Sequence, residues 1–247
     1  MKNYLITGGT RGIGLGLAEE LLKKGHRVVL NYANNDKQGL DAYNSLCLKF
    51  DKDMILIYKA SVSDYNNVEK MFNQLNEDIG QIDGLINCAS INKDEYIDDL
   101  NQDKWQKVID TNLTGTFYCS KFFCKQYSGS DGVIINISSG TAVHGRKKGA
   151  NYCSSKAGVI NLTKDFALEY APKIRVNCIG LGMIYTKEVE DRYNLKNDLY
   201  REEIEKQIPM NKIGSISDVS SLALFLIEKA TYITGQLIYV NGGMYMH

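Results

Sequence analysis

A glycine-rich stretch at residues 7–14 (TGGTRGIG) constrains the fold of this chain more than any other feature. It follows a short apolar run at residues 4–6 and precedes an amphipathic segment at residues 15–22. A strand, a glycine turn and a helix in this order predict a βαβ unit that binds a dinucleotide pyrophosphate at the helix N-terminus. Gly8 is expected to permit the tight turn, Gly12 the approach of a phosphate, and Gly14 the close packing of the helix.

The remainder of the chain repeats the same alternation of strands and helices. Apolar, β-branched runs predict strands at residues 27–32, 54–58, 84–90, 132–137, 174–179 and 235–240. Helical spacing occurs at residues 37–49, 65–79, from about 103, after 152 and at 217–229. We therefore predict a single doubly wound Rossmann domain over residues 1–247, an α/β fold with about seven parallel strands and helices on both faces.

Charge and composition exclude several classes of function. Lys plus Arg and Asp plus Glu both total 29, so the net charge is zero and gives no case for nucleic acid or an anionic membrane as a partner. No apolar run approaches the ~20 residues that span a bilayer, and the first strand leaves no room for a signal peptide. The six cysteines lack metal-ligand spacing, which predicts free thiols, no metal site and a cytoplasmic protein.

The end of the second predicted strand indicates the cofactor. An NAD site usually has a carboxylate here to bond the ribose 2′-hydroxyl, but no acid precedes Asp36. The amides Asn31 and Asn34 occupy this stretch, and Arg11 or Lys37 is available to pair with a 2′-phosphate. We therefore predict a preference for NADP(H).

Two pairs of polar residues suggest proton-transfer chemistry. Ser138 and Ser139 follow a buried strand, and Tyr152 and Lys156 share one face of the next helix because they are four residues apart. A phenol beside an ammonium suggests a tyrosine tuned to pass a proton. Taken alone, the same residues also fit a solvated turn and an ordinary helix face.

Two asparagines and one charged segment are further candidates. Asn87 ends a predicted strand, where ligands of open parallel sheets bind. Asn112 lies inside the helix that begins near residue 103, and an asparagine there favours a local distortion of the helix. Residues 187–208 are charged and predict a short helix or a mobile lid.

Together these residues resemble the short-chain dehydrogenase/reductase family, and the resemblance covers the whole chain. Residues 7–14 match its Thr-Gly-x-x-x-Gly-x-Gly motif, and Asn87 begins a match to its Asn-x-Ala-Gly element. Tyr152 and Lys156 match Tyr-x-x-x-Lys, and Ser139 lies thirteen residues before the tyrosine. Within the family the chain most resembles 3-oxoacyl-[acyl-carrier-protein] reductases.

The resemblance implies roles for individual residues. The catalytic group would be Asn112, Ser139, Tyr152 and Lys156, with Ser138 as the second choice for the serine. Tyr152 would protonate the forming alkoxide, helped by Lys156 lowering its pKa, and Asn112 would position a water that links Lys156 to solvent. The cofactor-binding residues would be Gly8, Thr10, Arg11, Gly12, Ile13, Gly14, Asn31, Asn34, Val62, Asn87, Ala89, Tyr152, Lys156, Ile184 and Thr186.

Three positions depart from the family pattern. Ser61 replaces an aspartate expected to contact adenine, Ser90 replaces a glycine near the nicotinamide ribose, and Leu181 replaces a proline, which should loosen its loop. The basic run at residues 146–148 is expected near the entrance of the site. There it would offer positive charge to an acidic carrier protein or another anionic substrate, although a solvated loop explains it equally well.

The resemblance also implies a reaction and an assembly. It indicates reduction of a ketone, with a 3-oxoacyl thioester bound to acyl-carrier protein as the first choice of substrate. A sugar or polyketide-type ketone is the alternative, and a regulator that binds dinucleotides without catalysis is the second. A homotetramer is expected, formed through the helices near residues 103–127 and 152–170 and the last strand.

Overall fold

The computed structural model describes residues 1–246 and has one parallel sheet at its centre. Its strands are β1 (Asn3–Thr7), β2 (Arg27–Tyr32), β3 (Ile55–Lys59), β4 (Gly84–Asn87), β5 (Gly132–Ser139), β6 (Ile174–Leu181) and β7 (Leu237–Val240). The helices are α1 (Gly12–Lys23), α2 (Asp36–Cys47), α3 (Tyr65–Ile79), α4 (Gln102–Ile109), α5 (Gly115–Gln126), α6 (Thr141–His144), α7 (Ala150–Tyr170), α8 (Lys187–Tyr193), α9 (Asp198–Lys206) and α10 (Ile216–Glu228).

The strand order is β3-β2-β1-β4-β5-β6-β7, and every neighbouring pair is parallel. From β1 the sheet extends in one direction through β2 and β3. From β4 it extends in the other direction through β5, β6 and β7. Between β1 and β4 the loops leave on opposite sides, which opens a crevice at the carboxyl ends of the strands. Thr7 pairs with Asn87 at this point, so both predicted motifs open into the same crevice.

Helices cover both faces of the sheet, as predicted. On one face α1, α2 and α10 pack against alternate strand residues such as Ile6 and Leu30. On the other face α3, α5 and α7 pack against the intervening residues, among them Leu5 and Val29. Because successive strand side chains point to opposite faces, a strand buried on both sides must be apolar throughout. This explains the continuous apolar runs in the sequence.

Several elements differ from the sequence-based bounds. The helix predicted from about residue 103 is α4 and α5 joined by a π-helical segment, Asp110–Thr114. The charged segment at 187–208 is two short helices, α8 and α9. The last strand begins at Leu237, because Gly235 takes a positive φ of 72° and its N–H bonds to the Val176 carbonyl. No helix within residues 1–246 is long and apolar enough to cross a membrane.

Candidate active site

The glycine turn between β1 and α1 is built so that only glycine fits at its key positions. Gly8 has φ of +63°, and a Cβ there would lie 2.9 Å from the Ala89 backbone. Gly14 lies against the Gly8 carbonyl, so a Cβ at Gly14 would meet backbone that has no freedom to move. The absence of side chains exposes the first N–H groups of α1, which have no intrahelical partners. This backbone cradle fits a pyrophosphate.

A buried threonine holds the two loops of the crevice together. The Thr7 hydroxyl is 3.1 Å from the backbone N–H groups of both Cys88 and Ala89, and it accepts from them. The loop after β4 is therefore fixed directly above the glycine turn. This contact places Ala89 beside Gly8, as the motifs required.

The far wall of the crevice comes from the loop between β6 and α8. Ile184 is buried and pairs with Gly214 in an isolated parallel bridge. Thr186 caps α8 by accepting from the Val189 N–H at 3.3 Å. A Cβ at Gly12 would lie 3.6 Å from the Thr186 methyl group, so Thr186 faces the glycine turn across the crevice.

The candidate catalytic side chains meet at the carboxyl end of β5. The Tyr152 ring has two cations over it, with the Lys156 Nζ 5.8 Å and the Arg146 Cζ 5.4 Å from the ring centroid. Lys156 is only 3% exposed and donates to the Ile137 carbonyl at 2.9 Å. Ser139 lies at the end of β5, and its hydroxyl is close enough to the Tyr152 phenol to act against the rise in the pKa of that phenol.

The two serines at the end of β5 have different surroundings. The Ser138 hydroxyl is 1% exposed and donates to the Lys156 carbonyl at 2.9 Å, which fixes α7 to the sheet. The Ser139 hydroxyl is within hydrogen-bond distance of Thr141 at 3.0 Å and remains on the crevice side with Tyr152. The arrangement therefore favours Ser139 over Ser138 as the group that contacts substrate.

Burial alters the acidity of both helix residues. Desolvation raises the pKa of the Tyr152 phenol to about 12; Arg146, the Ser139 hydroxyl and Arg192 act against this rise, and Glu188 adds to it. Desolvation also lowers the pKa of Lys156 from 10.5 to about 8. The sequence led us to expect a phenol pKa below its usual value. In the chain alone it is higher, because desolvation of the partly buried phenol outweighs the effect of the nearby positive charges.

Asn112 lies in the π-helical segment between α4 and α5 and is completely buried. Its amide accepts from the Ile91 N–H at 2.8 Å and donates to the Ile91 carbonyl at 3.0 Å and to Ser155 at 3.1 Å. The side chain thus joins the loop after β4 to α7. Single π turns inside α-helices occur often at functional sites. Both N–H donors of the amide are therefore used within the protein.

The adenosine end of the crevice differs in part from the prediction. The Asn31 amide is buried and donates to the carbonyls of Tyr58 at 3.3 Å and Ala60 at 2.9 Å, so it does not face a cofactor phosphate. Asn34 is exposed just beyond β2. Val62 is buried against Gly115, where a Cβ would lie 2.7 Å from its side chain.

The charged residues at this end of the crevice are paired with one another. The Asp36 carboxylate pairs with Lys59 at 2.8 Å and accepts from the Tyr32 hydroxyl at 3.0 Å. Both contacts keep this carboxylate at the β2–β3 edge of the sheet. Arg11, at the N-cap of α1, is half-exposed and 3.8 Å from Glu188 of α8.

Comparison with known proteins agrees with this geometry. The family model described as Enoyl-(Acyl carrier protein) reductase matches residues 8–245. The chain is 38% identical to 3-oxoacyl-[acyl-carrier-protein] reductase FabG of Staphylococcus aureus, covering 99% of this chain and 98% of the relative. It is 34% identical to the FabG of Haemophilus influenzae, with 99% and 98% coverage. The chain belongs to the short-chain dehydrogenase/reductase family.

Solved structures of the family lead to the same assignment. A protein from Brucella melitensis, titled Short-chain dehydrogenase/reductase SDR:Glucose/ribitol dehydrogenase, has a TM-score of 0.90 at 30% identity, covering 100% of this chain and 97% of that one. A short chain dehydrogenase from Bacillus anthracis has a TM-score of 0.88 at 31% identity, again covering 100% and 97%. As a family member, the chain is an oxidoreductase that acts on CH–OH and C=O groups and binds a nicotinamide dinucleotide.

The departures from the family pattern have visible environments. The Ser61 hydroxyl is 2.8 Å from that of Ser63, and Ser90 is half-buried after Ala89. Leu181 is the last residue of β6 and is paired with Ser139 on one side and Val240 on the other. Leu181 therefore lies within the β6 ladder, and the loop expected to be loosened begins after it.

Sequence reasoning missed a chain of buried amides beneath the crevice. Asn87 donates to Ser120 at 3.0 Å and to Asn136 at 2.8 Å, and Asn136 donates to Thr163 of α7 at 2.9 Å. Within residues 1–246, the Asn87 Oδ1 is the one buried side-chain oxygen or nitrogen without a partner. Asn136 lies within an apolar strand pattern. The one signal for it in the sequence is that a polar residue interrupts a run predicted to be buried.

The basic run at residues 146–148 is not the free positive surface that the sequence suggested. Arg146 is paired with Asp94 and lies over Tyr152, and Lys148 lies over the Tyr96 ring at 4.4 Å. Lys147 is exposed. Only part of the run therefore presents charge to a partner.

Proposed function

We propose that the protein is an NADPH-dependent reductase of 3-oxoacyl thioesters, with the acyl chain carried on acyl-carrier protein or a related carrier. The observation that carries this proposal is the convergence of Ser139, Tyr152 and Lys156 at the mouth of a glycine-lined crevice. FabG relatives at 34–38% identity over the whole chain support the substrate class. The intact set of polar groups argues against a regulator that has lost catalysis.

The residues act in a simple order. When bound at the glycine turn, a nicotinamide dinucleotide would supply a hydride to the substrate carbonyl carbon. Ser139 donates a hydrogen bond to the carbonyl oxygen and holds it against the Tyr152 phenol. Tyr152 gives its proton to the forming alkoxide, and the Lys156 ammonium stabilises the phenolate that remains. Lys156 would also bond the nicotinamide ribose.

Asn112 acts through its backbone in this proposal. Its amide is bound by Ile91 and Ser155, so it has no donor left for a water. Its carbonyl accepts from the Thr116 hydroxyl at 2.8 Å within the π-helical segment, and a carbonyl retains a second lone pair. We assign the water that links Lys156 to solvent to this carbonyl, with the Asn112 side chain fixing the loops around it.

The experiment that tests the function is a substrate panel monitored by NADPH oxidation. We expect acetoacetyl-CoA, a small 3-oxoacyl thioester, to be reduced with a kcat/KM at least about 10-fold above that of sugar and polyketide-type ketones. The Lys147→Glu, Lys148→Glu double variant, assayed with a carrier-bound thioester, tests the two exposed charges of residues 146–148 by its KM and salt dependence. A higher kcat/KM on a sugar ketone would select the first alternative, and no turnover on any ketone would select the regulator.

Arg11 provides a test of the cofactor preference. We expect NADPH to bind more tightly than NADH, because Arg11 lies at the turn and the Asp36 carboxylate is held by Lys59. The Arg11→Ala variant should weaken NADPH binding about 10-fold or more and NADH binding less than about 3-fold, since one charge-assisted hydrogen bond contributes roughly 1.5–3 kcal/mol. Fluorescence titration measures both dissociation constants.

The matched control is Lys24→Ala, which removes a positive charge at the other end of α1. This variant should leave both dissociation constants unchanged. Tighter binding of NADH than NADPH by the unmodified protein would contradict the preference.

We also propose the homotetramer. Trp105 of α4, Phe117 of α5 and Leu168 of α7 are exposed apolar side chains on the helices expected to form the interfaces, and Leu168 is 82% exposed. Light scattering after size exclusion measures the assembly. A monomer at micromolar concentration would refute it.

A further inference from the structure

Arg146 has an unexpected position beside Tyr152. It lies in the loop between α6 and α7, and the Arg146 guanidinium carbon is 5.4 Å from the Tyr152 ring centroid. Its side chain is 23% exposed, so most of the guanidinium is removed from water. A cation stacked on an aromatic face at this distance makes a favourable contact, which is stronger when water is excluded.

The guanidinium is held from two sides. Its two terminal nitrogens bond both oxygens of Asp94, at 2.9 and 2.5 Å, and one of them also reaches the Asn92 amide at 3.2 Å. Gly149 makes room for the arginine stem, because a Cβ at that position would lie 2.6 Å from the Arg146 side chain. Bidentate pairing fixes the plane of the guanidinium. The pairing with Asp94 therefore holds the guanidinium in place over the Tyr152 ring.

The two loops that supply these residues are joined by further bonds. The Glu95 N–H donates to the Lys148 carbonyl at 3.0 Å, and the Asn151 amide donates to the Lys93 carbonyl at 2.9 Å. Asn151 is completely buried and directly precedes Tyr152. The loop after β4 and the start of α7 thus form one rigid unit around the tyrosine.

Other charged and titratable groups also face the Tyr152 phenol. Glu188 and Arg192 approach from α8, Lys156 from α7 and the Ser139 hydroxyl from β5. Arg192 is also 3.5 Å from Asp94, and it pairs with Glu188 at 3.0 Å. Among these charged groups, Arg146 lowers the pKa of the phenol most, more than Arg192 does, and Glu188 raises it.

We propose that Arg146 is a positioning residue for Tyr152, which holds the phenol ring in place and stabilises the negative charge that the ring carries once its proton has left. This inference rests on the proposed function, because it takes Tyr152 as the proton donor. When ketone is reduced, the phenol proton moves to the alkoxide oxygen and the ring becomes a phenolate. The adjacent guanidinium then faces an anion, so the contact strengthens as the proton leaves.

The test measures alcohol oxidation, the direction in which Tyr152 must be deprotonated, with 3-hydroxybutyryl-CoA and saturating NADP⁺. The kcat should rise with pH, pass through a midpoint and reach a plateau. The Arg146→Met variant should have its midpoint about one pH unit higher. Below the midpoint the variant should therefore be about 10-fold slower, with the same plateau rate at high pH. Arg146→Lys keeps the charge and should lie nearer the unmodified protein. The matched control, Lys93→Ala, removes an exposed charge from the loop after β4 and should leave the midpoint in place.

Three outcomes separate this inference from the proposed function. Superimposed pH profiles for the unmodified, Arg146→Met and Arg146→Lys proteins, with Tyr152→Phe inactive, would overturn the role of Arg146 alone. A rise in KM without a change of midpoint would assign Arg146 to the substrate and also overturn it. Substantial turnover by Tyr152→Phe would overturn the proposed function itself. NADPH affinity and the thermal midpoint, measured for each variant, verify that it is folded.

Discussion

Replacing Tyr152 by phenylalanine should lower ketone reduction by about 10³-fold or more while leaving NADPH affinity within about 3-fold. The variant keeps the ring, and with it the contacts to Arg146 and Lys156, but removes the phenol hydroxyl that is the proposed proton donor. Without the hydroxyl, the ring has no proton to give to the alkoxide that forms on the carbonyl. Since the cofactor would bind mainly to the glycine turn and the Thr186 wall, its affinity should change little.

The measurement combines steady-state turnover with a fluorescence titration of NADPH. Tyr170→Phe is the matched control, because Tyr170 ends the same helix and stacks on Phe166 at 5.8 Å, far from the crevice. That variant should keep full turnover. Retention of even a tenth of the activity by Tyr152→Phe would mean that another group supplies the proton.

The sequence predicted the sheet and its crevice well, for local physical reasons. Strands buried on both faces must be continuously apolar, as in the run ending at Ile137, and a glycine turn such as Gly8–Gly14 tolerates no side chain at its key positions. These features are readable from neighbouring residues. The distortion at Asn112 was also indicated, although its form as a π-helical segment was not.

Contacts between distant parts of the chain could not be read in this way. Arg146 and Asp94 are 52 residues apart, and nothing in either local sequence indicates that they pair. The Asn31 amide was expected to face the cofactor, but bonds to carbonyls of the β3 strand and the residue after it determine its direction. The acidity of Tyr152 likewise depends on burial, which the spacing of two residues on a helix does not reveal.

Replacing Lys156 by methionine should have opposite effects on activity and stability. Turnover should fall by about 10³-fold or more, because the charge that stabilises the phenolate is lost. The folded protein, however, holds a buried ammonium whose pKa is lowered from 10.5 to about 8, a cost of about 3 kcal/mol at neutral pH. Methionine removes this cost and also removes the bond to the Ile137 carbonyl, a loss of roughly 1–3 kcal/mol. The variant should therefore be as stable as the unmodified protein or more stable at pH 7.

The dependence of this difference on pH is the sharper test, because it follows from the pKa of Lys156 in the folded and unfolded chains alone. Below pH 8 the lysine is charged in both folded and unfolded chains, and the unmodified protein carries the whole burial cost. Between about pH 8 and 10.5 the unfolded chain binds a proton that the folded one does not, so the cost declines as pH rises. Urea unfolding at pH 7.5 and pH 10 should show the stability of Lys156→Met falling by about 2 kcal/mol relative to the unmodified protein. Lys164→Met, an exposed site on the same helix, should show no such change. A pH-independent difference for Lys156→Met would mean that the ammonium is not desolvated. That result would also contradict the electrostatic role assigned to Lys156.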